Sequence, residues 1–197
     1  MERASRWTLL TDRLNAVVWH LPVPRGVRVR LGHVVYRNPV MPAERVHETL
    51  DALSSAHVEA WCMGGWGVDA LLGEQSRDHR DLDLIVDLDD VDWALAALAR
   101  LGYREWYRNL ATAAVWYRED RSGREDEDVV VLRDGAYRAV EVHLLRLRRC
   151  GLTPAAGVIA GRTVRCLSAE SQRRAYRTYR AHHGREHPNA AIVSQLA

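Results

Sequence analysis

The chain has 197 residues, 47% of them hydrophobic and 27% charged, with a formal net charge of +2. That composition fits one globular domain with a well-buried core, and so small a charge gives no argument for nucleic acid or an anionic membrane as partner. All 28 Lys-plus-Arg residues are arginine, so any phosphate contact must come from arginine, histidine or backbone N–H. Three widely spaced cysteines, Cys62, Cys150 and Cys166, form no CxxC pair and read as reduced thiols. No apolar run approaches 18 residues and no secretory signal is recognisable, so no segment is expected to span a membrane and the expected location is cytoplasmic.

Residues 1–40 are broken by Pro22, Pro24, Gly26, Gly32 and Pro39 and read as a poorly defined N-terminal extension ahead of a domain over 41–197. From Pro42, the stripe Val46, Leu50 and Leu53 predicts a helix ending near residues 54–57. Residues 58–63 read as a strand that stops at Gly64 and Gly65. Residues 66–72 follow as a short helix closed by Gly73. Residues 81–86 predict a second strand. Asp89 or Asp90 then caps a helix whose apolar face is Val91, Ala94, Leu95, Leu98 and Leu101. Residues 103–107 and 111–117 read as strands, and 119–128 as a polar loop. A hairpin of 129–132 and 137–145 is expected around Asp134 and Gly135. A shorter one over 157–166 turns at Ala160 and Gly161, and Ser168 caps a basic helix to about residue 180. This order predicts an α/β (α+β) domain with a mixed sheet flanked by helices.

Asp81 and Asp83 are two apart on the second predicted strand, so both carboxylates leave one face while Leu82, Leu84 and Val86 enter a core. At roughly 6–7 Å they repel by about 2–3 kcal/mol for an effective dielectric near 20. A cation relieves that, and an oxygen-only donor set favours magnesium or manganese. The structural alternative is that Asp81 caps the strand while Asp83 pairs with Arg77 or Arg80. Gly64 and Gly65 lie between strand and helix, where the backbone can approach an anion or simply make a tight turn. No Walker A or GxGxxG pattern accompanies them. Arg77 and His79 can bind phosphates or belong to a solvated basic loop. Glu141, flanked by Val140 and Val142 with His143 on its own face, is the candidate third carboxylate, or an ordinary solvent-facing glutamate.

The stretch GGWGVDALLG followed by SRDHRDLDL resembles the aminoglycoside and lincosamide nucleotidyltransferases of the polymerase-beta-like nucleotidyltransferase superfamily. The match runs through Gly64, Gly65, Trp66, Asp69, Leu72, Gly73, Arg77, His79, Asp81 and Asp83, with Ser76 in place of the usual threonine. Residues 157–168, GVIAGRTVRCLS, look like the hairpin and helix cap of the branch acting at the 2″ position of aminoglycosides. The resemblance covers about residues 46–181. It implies a polymerase-beta-like fold, with Asp81 and Asp83 as magnesium ligands and Glu141 where the family commonly carries aspartate. Whether Glu141 serves as ligand, base or both stays open.

The implied function is Mg2+-dependent transfer of a nucleoside monophosphate, AMP from ATP, to a hydroxyl of an aminoglycoside- or lincosamide-like molecule, with release of pyrophosphate. Gly64, Gly65, Trp66, Arg77 and His79 are the expected nucleotide-binding residues, and Asp81, Asp83 and Glu141 the catalytic and metal-binding ones, holding two ions. ATP or another nucleoside triphosphate is the co-substrate, with no nucleic acid or membrane as partner. Two alternatives are a nucleotidyltransferase that modifies a protein and a nucleotide-binding relative without turnover.

Overall fold

The structure is a computed structural model that describes residues 39–109, 129–136, 138–148, 150–183, 190–194 and 196. The expected extension over 1–40 therefore lies outside the described residues except for Pro39 and Val40, as do the expected strand over 111–117 and the polar loop over 119–128.

Helix α1 spans Ala43–Ser55 and buries Val46 and Leu53 completely, as its apolar stripe requires. Strand β1, Ala60–Met63, leads directly into helix α2, Gly64–Leu72. Strand β2 is Asp81–Asp87, and a 3-10 turn, Leu88–Asp90, joins it to helix α3, Val91–Arg100. Strands β3, Arg104–Asn109, β4, Val129–Arg133, and β5, Ala139–Leu145, follow. The hairpin of β6, Pro154–Ile159, and β7, Arg162–Leu167, precedes helix α4, Ala169–His183, and the single turn α5, Ala190–Val193.

The seven strands form one sheet in the order β3-β4-β5-β2-β1-β7-β6. It is mixed: β2 runs parallel to β5 and β1 to β7, while the other neighbouring pairs are antiparallel. One face carries Leu82, Leu84 and Val86 of β2 and Val140, Val142 and Leu144 of β5 into the main core with residues of α1 and α3. On the opposite face, Ile85 and Leu145 pack with Trp61, Met63, Leu152 and Leu167 and with Ala175 of α4. The polar residues of β2 and β5 share that second face, beside this smaller core. No helix among the described residues is long and apolar enough to cross a membrane.

Three local details differ from expectation. Helix α2 begins at Gly64, not Trp66, so the glycine pair forms its first turn. The cap after β2 is Asp87: its Oδ1 accepts from Asp89 N at 3.0 Å and its Oδ2 from Leu147 N at 3.1 Å. Asp90 precedes α3 without a side-chain cap bond because the intervening 3-10 turn moves the cap upstream. The second hairpin is longer than expected, starting at Pro154, and it turns at Ala160 and Gly161, both at positive φ. The Asp134 turn forms as expected, with Asp134 Oδ1 accepting from Ala136 N and Arg138 N. Ser168 Oγ accepts from Ser171 N at the start of α4, also as expected.

Strand β6 packs directly on α2 at Gly157, where an added Cβ would lie 2.5 Å from Ala70 O and 2.6 Å from Ala70 C. Backbone on both sides leaves nothing to move aside. Gly157→Ala is expected to cost about 1–3 kcal/mol, seen as a lower urea midpoint with unchanged slope. Gly135→Ala, whose Cβ would meet nothing within 4 Å, should stay within about 0.5 kcal/mol of the parent.

Candidate active site

Strands β2 and β5 lie side by side in parallel at the centre of the sheet, with Asp83 in register with Glu141 and Asp81 with Ala139. The two-residue period puts Asp81 and Asp83 on the same face as Glu141 and His143. On the other face Leu82, Leu84, Val140 and Val142 are fully buried, which fixes the strands' rotation. Asp83, Glu141 and His143 each offer one ligand atom, all within 4.8 Å of one another. Asp83 Oδ1 lies 3.8 Å from His143 Nε2, and the two side chains keep 21% and 8% of their surface exposed. Asp81, at the start of β2, does not belong to that closest group.

The electrostatics reflect this crowding. Burial, then the neighbouring Asp81, holds the Asp83 carboxyl well above the usual range, opposed by the Arg77 guanidinium. Glu141 is pushed up to about 8 by burial, then by Asp83 and Asp81. Burial also raises Asp81, although Arg77, His79, Arg133 and Arg80 pull the other way. Burial lowers His143, against the pull of Glu141 and Asp81. Three carboxyls that resist ionising together, converging on a half-buried site, fit a divalent cation: it would supply the charge that burial withholds. Arg133, near the end of β4, is a cation beside Asp81 and Glu141 that local sequence patterns do not single out.

The glycine pair is explained first by the chain's own side chains. Gly64 has φ +59°, and a Cβ there would collide with Asp83 Oδ2. At Gly65 a Cβ would collide with the His79 ring and lie 3.3 Å from an Arg77 guanidinium nitrogen. Absence of both side chains therefore seats the Asp83 carboxylate and the basic loop against the first turn of α2. The N–H groups of a helix's first turn have no intrahelical acceptor, and with the positive dipole end they favour an anion at that position.

The basic loop is held from below. Asp69, on α2 and 2% exposed, accepts from Ser76 Oγ at 2.6 Å, from Ser76 N at 3.0 Å and from His79 Nε2 at 2.5 Å. Ser76 thus keeps the hydroxyl that the usual threonine would supply. His79 is only 1% exposed, and its ring centroid is 4.8 Å from that of buried Trp66. His79 and Trp66 therefore stand behind the loop, whereas Arg77 is exposed on it, with Nη1 donating to Asp78 O at 2.9 Å. Asp69 gives no local sign of this role in the sequence; its partners are Ser76 and His79, across the turn that follows the helix.

Burial alone would raise the Asp69 carboxyl, but hydrogen bonds from His79 and Ser76 override it and leave the group below the usual carboxylate range. Its stabilising contribution is therefore present above the unfolded-state pKa of about 3.9 and is lost as pH falls through the lower folded-state value. Asp69→Asn is expected to cost about 3 kcal/mol at pH 7 by stranding His79 and Ser76. In urea titrations the gap between parent and variant should close as the pH is taken below about 4.

Residues 45–192 match the family described as Aminoglycoside-2''-adenylyltransferase. Over 132 residues the chain is 32% identical to a 2''-aminoglycoside nucleotidyltransferase of Escherichia coli, covering 64% of this chain and 67% of that protein. It is 40% identical over 55 residues to a lincosamide resistance protein of Staphylococcus haemolyticus, a match spanning 28% of this chain and only 34% of that relative. The structure of ANT(2'')-Ia in complex with adenylyl-2''-tobramycin superposes with a TM-score of 0.57 at 22% identity, over 78% of this chain and 86% of the other. That of the lincosamide antibiotic adenylyltransferase LnuA, lincomycin-bound, gives 0.56 at 20% identity, over 81% and 100%. The mixed sheet with its flanking helices is thus the polymerase-beta-like nucleotidyltransferase fold expected from the motifs. The chain belongs to the aminoglycoside-2''-adenylyltransferase family, whose named relatives are nucleotidyltransferases.

Proposed function

We propose that the chain transfers a nucleoside monophosphate, AMP from ATP, to a hydroxyl of an aminoglycoside- or lincosamide-like antibiotic, and so confers resistance to it in the cytoplasm. The observation that carries this reading is the register of Asp83 against Glu141, beside the first turn of α2. An acidic cluster next to a helix N-terminus is what a nucleoside triphosphate and its cation require together. Asp81, Asp83 and Glu141 are the residues that would hold Mg2+, which when bound supplies neutralisation of phosphate charge and orientation of the triphosphate.

The chain's own groups divide the remaining work. The N–H groups at Gly64 and Gly65 face the triphosphate, and exposed Arg77 pairs with its phosphate oxygens as a planar, permanently charged donor. His79 and Trp66 keep that loop in place from behind. The acceptor hydroxyl oxygen attacks the α-phosphorus; the bond from that phosphorus to the bridging oxygen breaks and pyrophosphate leaves. Glu141 takes the hydroxyl proton. Rate enhancement comes from positioning and charge complementarity, without a covalent enzyme intermediate.

Pyrophosphate release from ATP, GTP, CTP and UTP, measured against a panel of aminoglycosides and lincosamides, tests the reading. The expected result is Mg2+-dependent turnover with one antibiotic class and an intact mass for the product equal to antibiotic plus nucleoside monophosphate. Asp81→Asn and Asp83→Asn should each lower turnover by about 100- to 1,000-fold or more while melting no lower than the parent does. Retained activity in both variants would sink the site assignment, and a nucleotide adduct on a protein would sink the acceptor.

A further inference from the structure

Building on the metal-dependent reading above, we propose that His143 is a direct ligand of the divalent cation. The carboxylates of Asp81, Asp83 and Glu141 then gain a nitrogen donor, making a mixed oxygen–nitrogen site that prefers Mn2+ to Mg2+. Sequence patterns pointed to oxygen ligands alone. The tertiary structure adds an imidazole.

Strand geometry places it there. His143 follows Glu141 by two residues on β5, so the side chains leave the same face, and it lies in register with Ile85, one pleat beyond the Asp83–Glu141 pair. From that position Nε2 turns back toward Asp83 Oδ1 and stops 3.8 Å away. That distance is too long for a hydrogen bond. It suits two ligands on one ion: donors about 2.1 Å from a common cation stand about 3 Å apart when adjacent and about 4.2 Å apart when opposite. The mutual separation of all three donor atoms, within 4.8 Å, needs only a small inward movement to meet that range.

The remaining contacts favour the same assignment. Asp83 is held with Oδ2 against Gly64, so Oδ1 is the oxygen presented toward His143. The His143 ring is 8% exposed, held on a central strand with β2 and β4 on either side, and so is limited in where it can turn. Imidazole binds first-row transition ions well, whereas Mg2+ is small, hard and selective for oxygen. Adding this nitrogen to the carboxylate donors shifts preference toward Mn2+ without closing the site to Mg2+.

The test is metal binding itself, on the full chain stripped of metal. Mn2+ is titrated in and followed by the electron paramagnetic resonance signal of the free ion; electron spin-echo modulation then reports nitrogen bound to the bound ion. One Mn2+ should bind with a 14N modulation that becomes a 15N modulation when the protein is grown on 15N-labelled histidine. His143→Gln and His143→Asn should lose the modulation and weaken Mn2+ binding by about 10- to 100-fold. Mg2+ binding, read by competition, should weaken by less than about 3-fold, because Mg2+ depends chiefly on the carboxylates. The labelled parent keeps the question answerable even if a variant folds poorly. Stoichiometric Mn2+ binding without nitrogen modulation, or modulation that survives in both variants, would overturn His143 as ligand and leave the carboxylate site standing. Failure of the parent to bind Mn2+ at all would instead overturn the metal-dependent reading, and this inference with it.

Discussion

Asp83 and Glu141 face one another across a parallel strand pair from which neither can withdraw. Two ionised carboxylates about 5 Å apart repel by about 3 kcal/mol at an effective dielectric near 20. The opposite faces of the same strands bury Leu82, Leu84, Val86, Val140, Val142 and Leu144, each contributing about 1.5–3 kcal/mol on burial. The apolar side wins by a wide margin. Rotating either strand to separate the acids would turn those side chains out of the core, so the repulsion is retained and expressed as carboxyls that resist ionising. A bound cation would relieve it with the carboxyls ionised.

The same constraint accounts for the first turn of α2. Asp83 cannot move away from the helix, so the helix must lack side chains where the carboxylate and the basic loop meet it. Gly64 and Gly65 meet that requirement. The loop between α2 and β2 is then secured by Asp69, whose carboxylate collects Ser76 and His79 beneath it. A buried charge that organises a loop next to a reactive site is a support for the site, not part of its chemistry. It leaves Arg77 as an exposed cation on the loop beside Gly65, with the His79 ring turned inward behind it.

Much of this was legible locally. The spacing of Val46, Leu50 and Leu53 identified α1, the alternation from Asp81 to Val86 identified β2 and its two faces, and Asp134 with Gly135 marked the hairpin between β4 and β5. Other features were not legible, for a common reason: they depend on residues distant in the chain. Nothing near Gly64 announces that a helix begins there, because the carboxylate that demands glycine arrives with β2. Nothing near His79 shows that it is buried, because Trp66 and Asp69 come from the preceding helix. The cap at Asp87 was missed because its second partner, Leu147 N, comes from beyond β5.

Residue type and short-range spacing by themselves determined which face of its strand each candidate side chain occupies and where glycine is needed, since the two-residue period of a strand and the steric needs of glycine are properties of the local backbone. Those local rules do not say which strands become neighbours. Only the tertiary structure decided that β5 lies parallel to β2 in the register that sets Glu141 opposite Asp83 and brings His143 within reach of the same carboxylate. The physical reason is that strand pairing is selected by how the whole sheet buries its apolar face under α1 and α3, a sum over many distant residues that no single stretch contains.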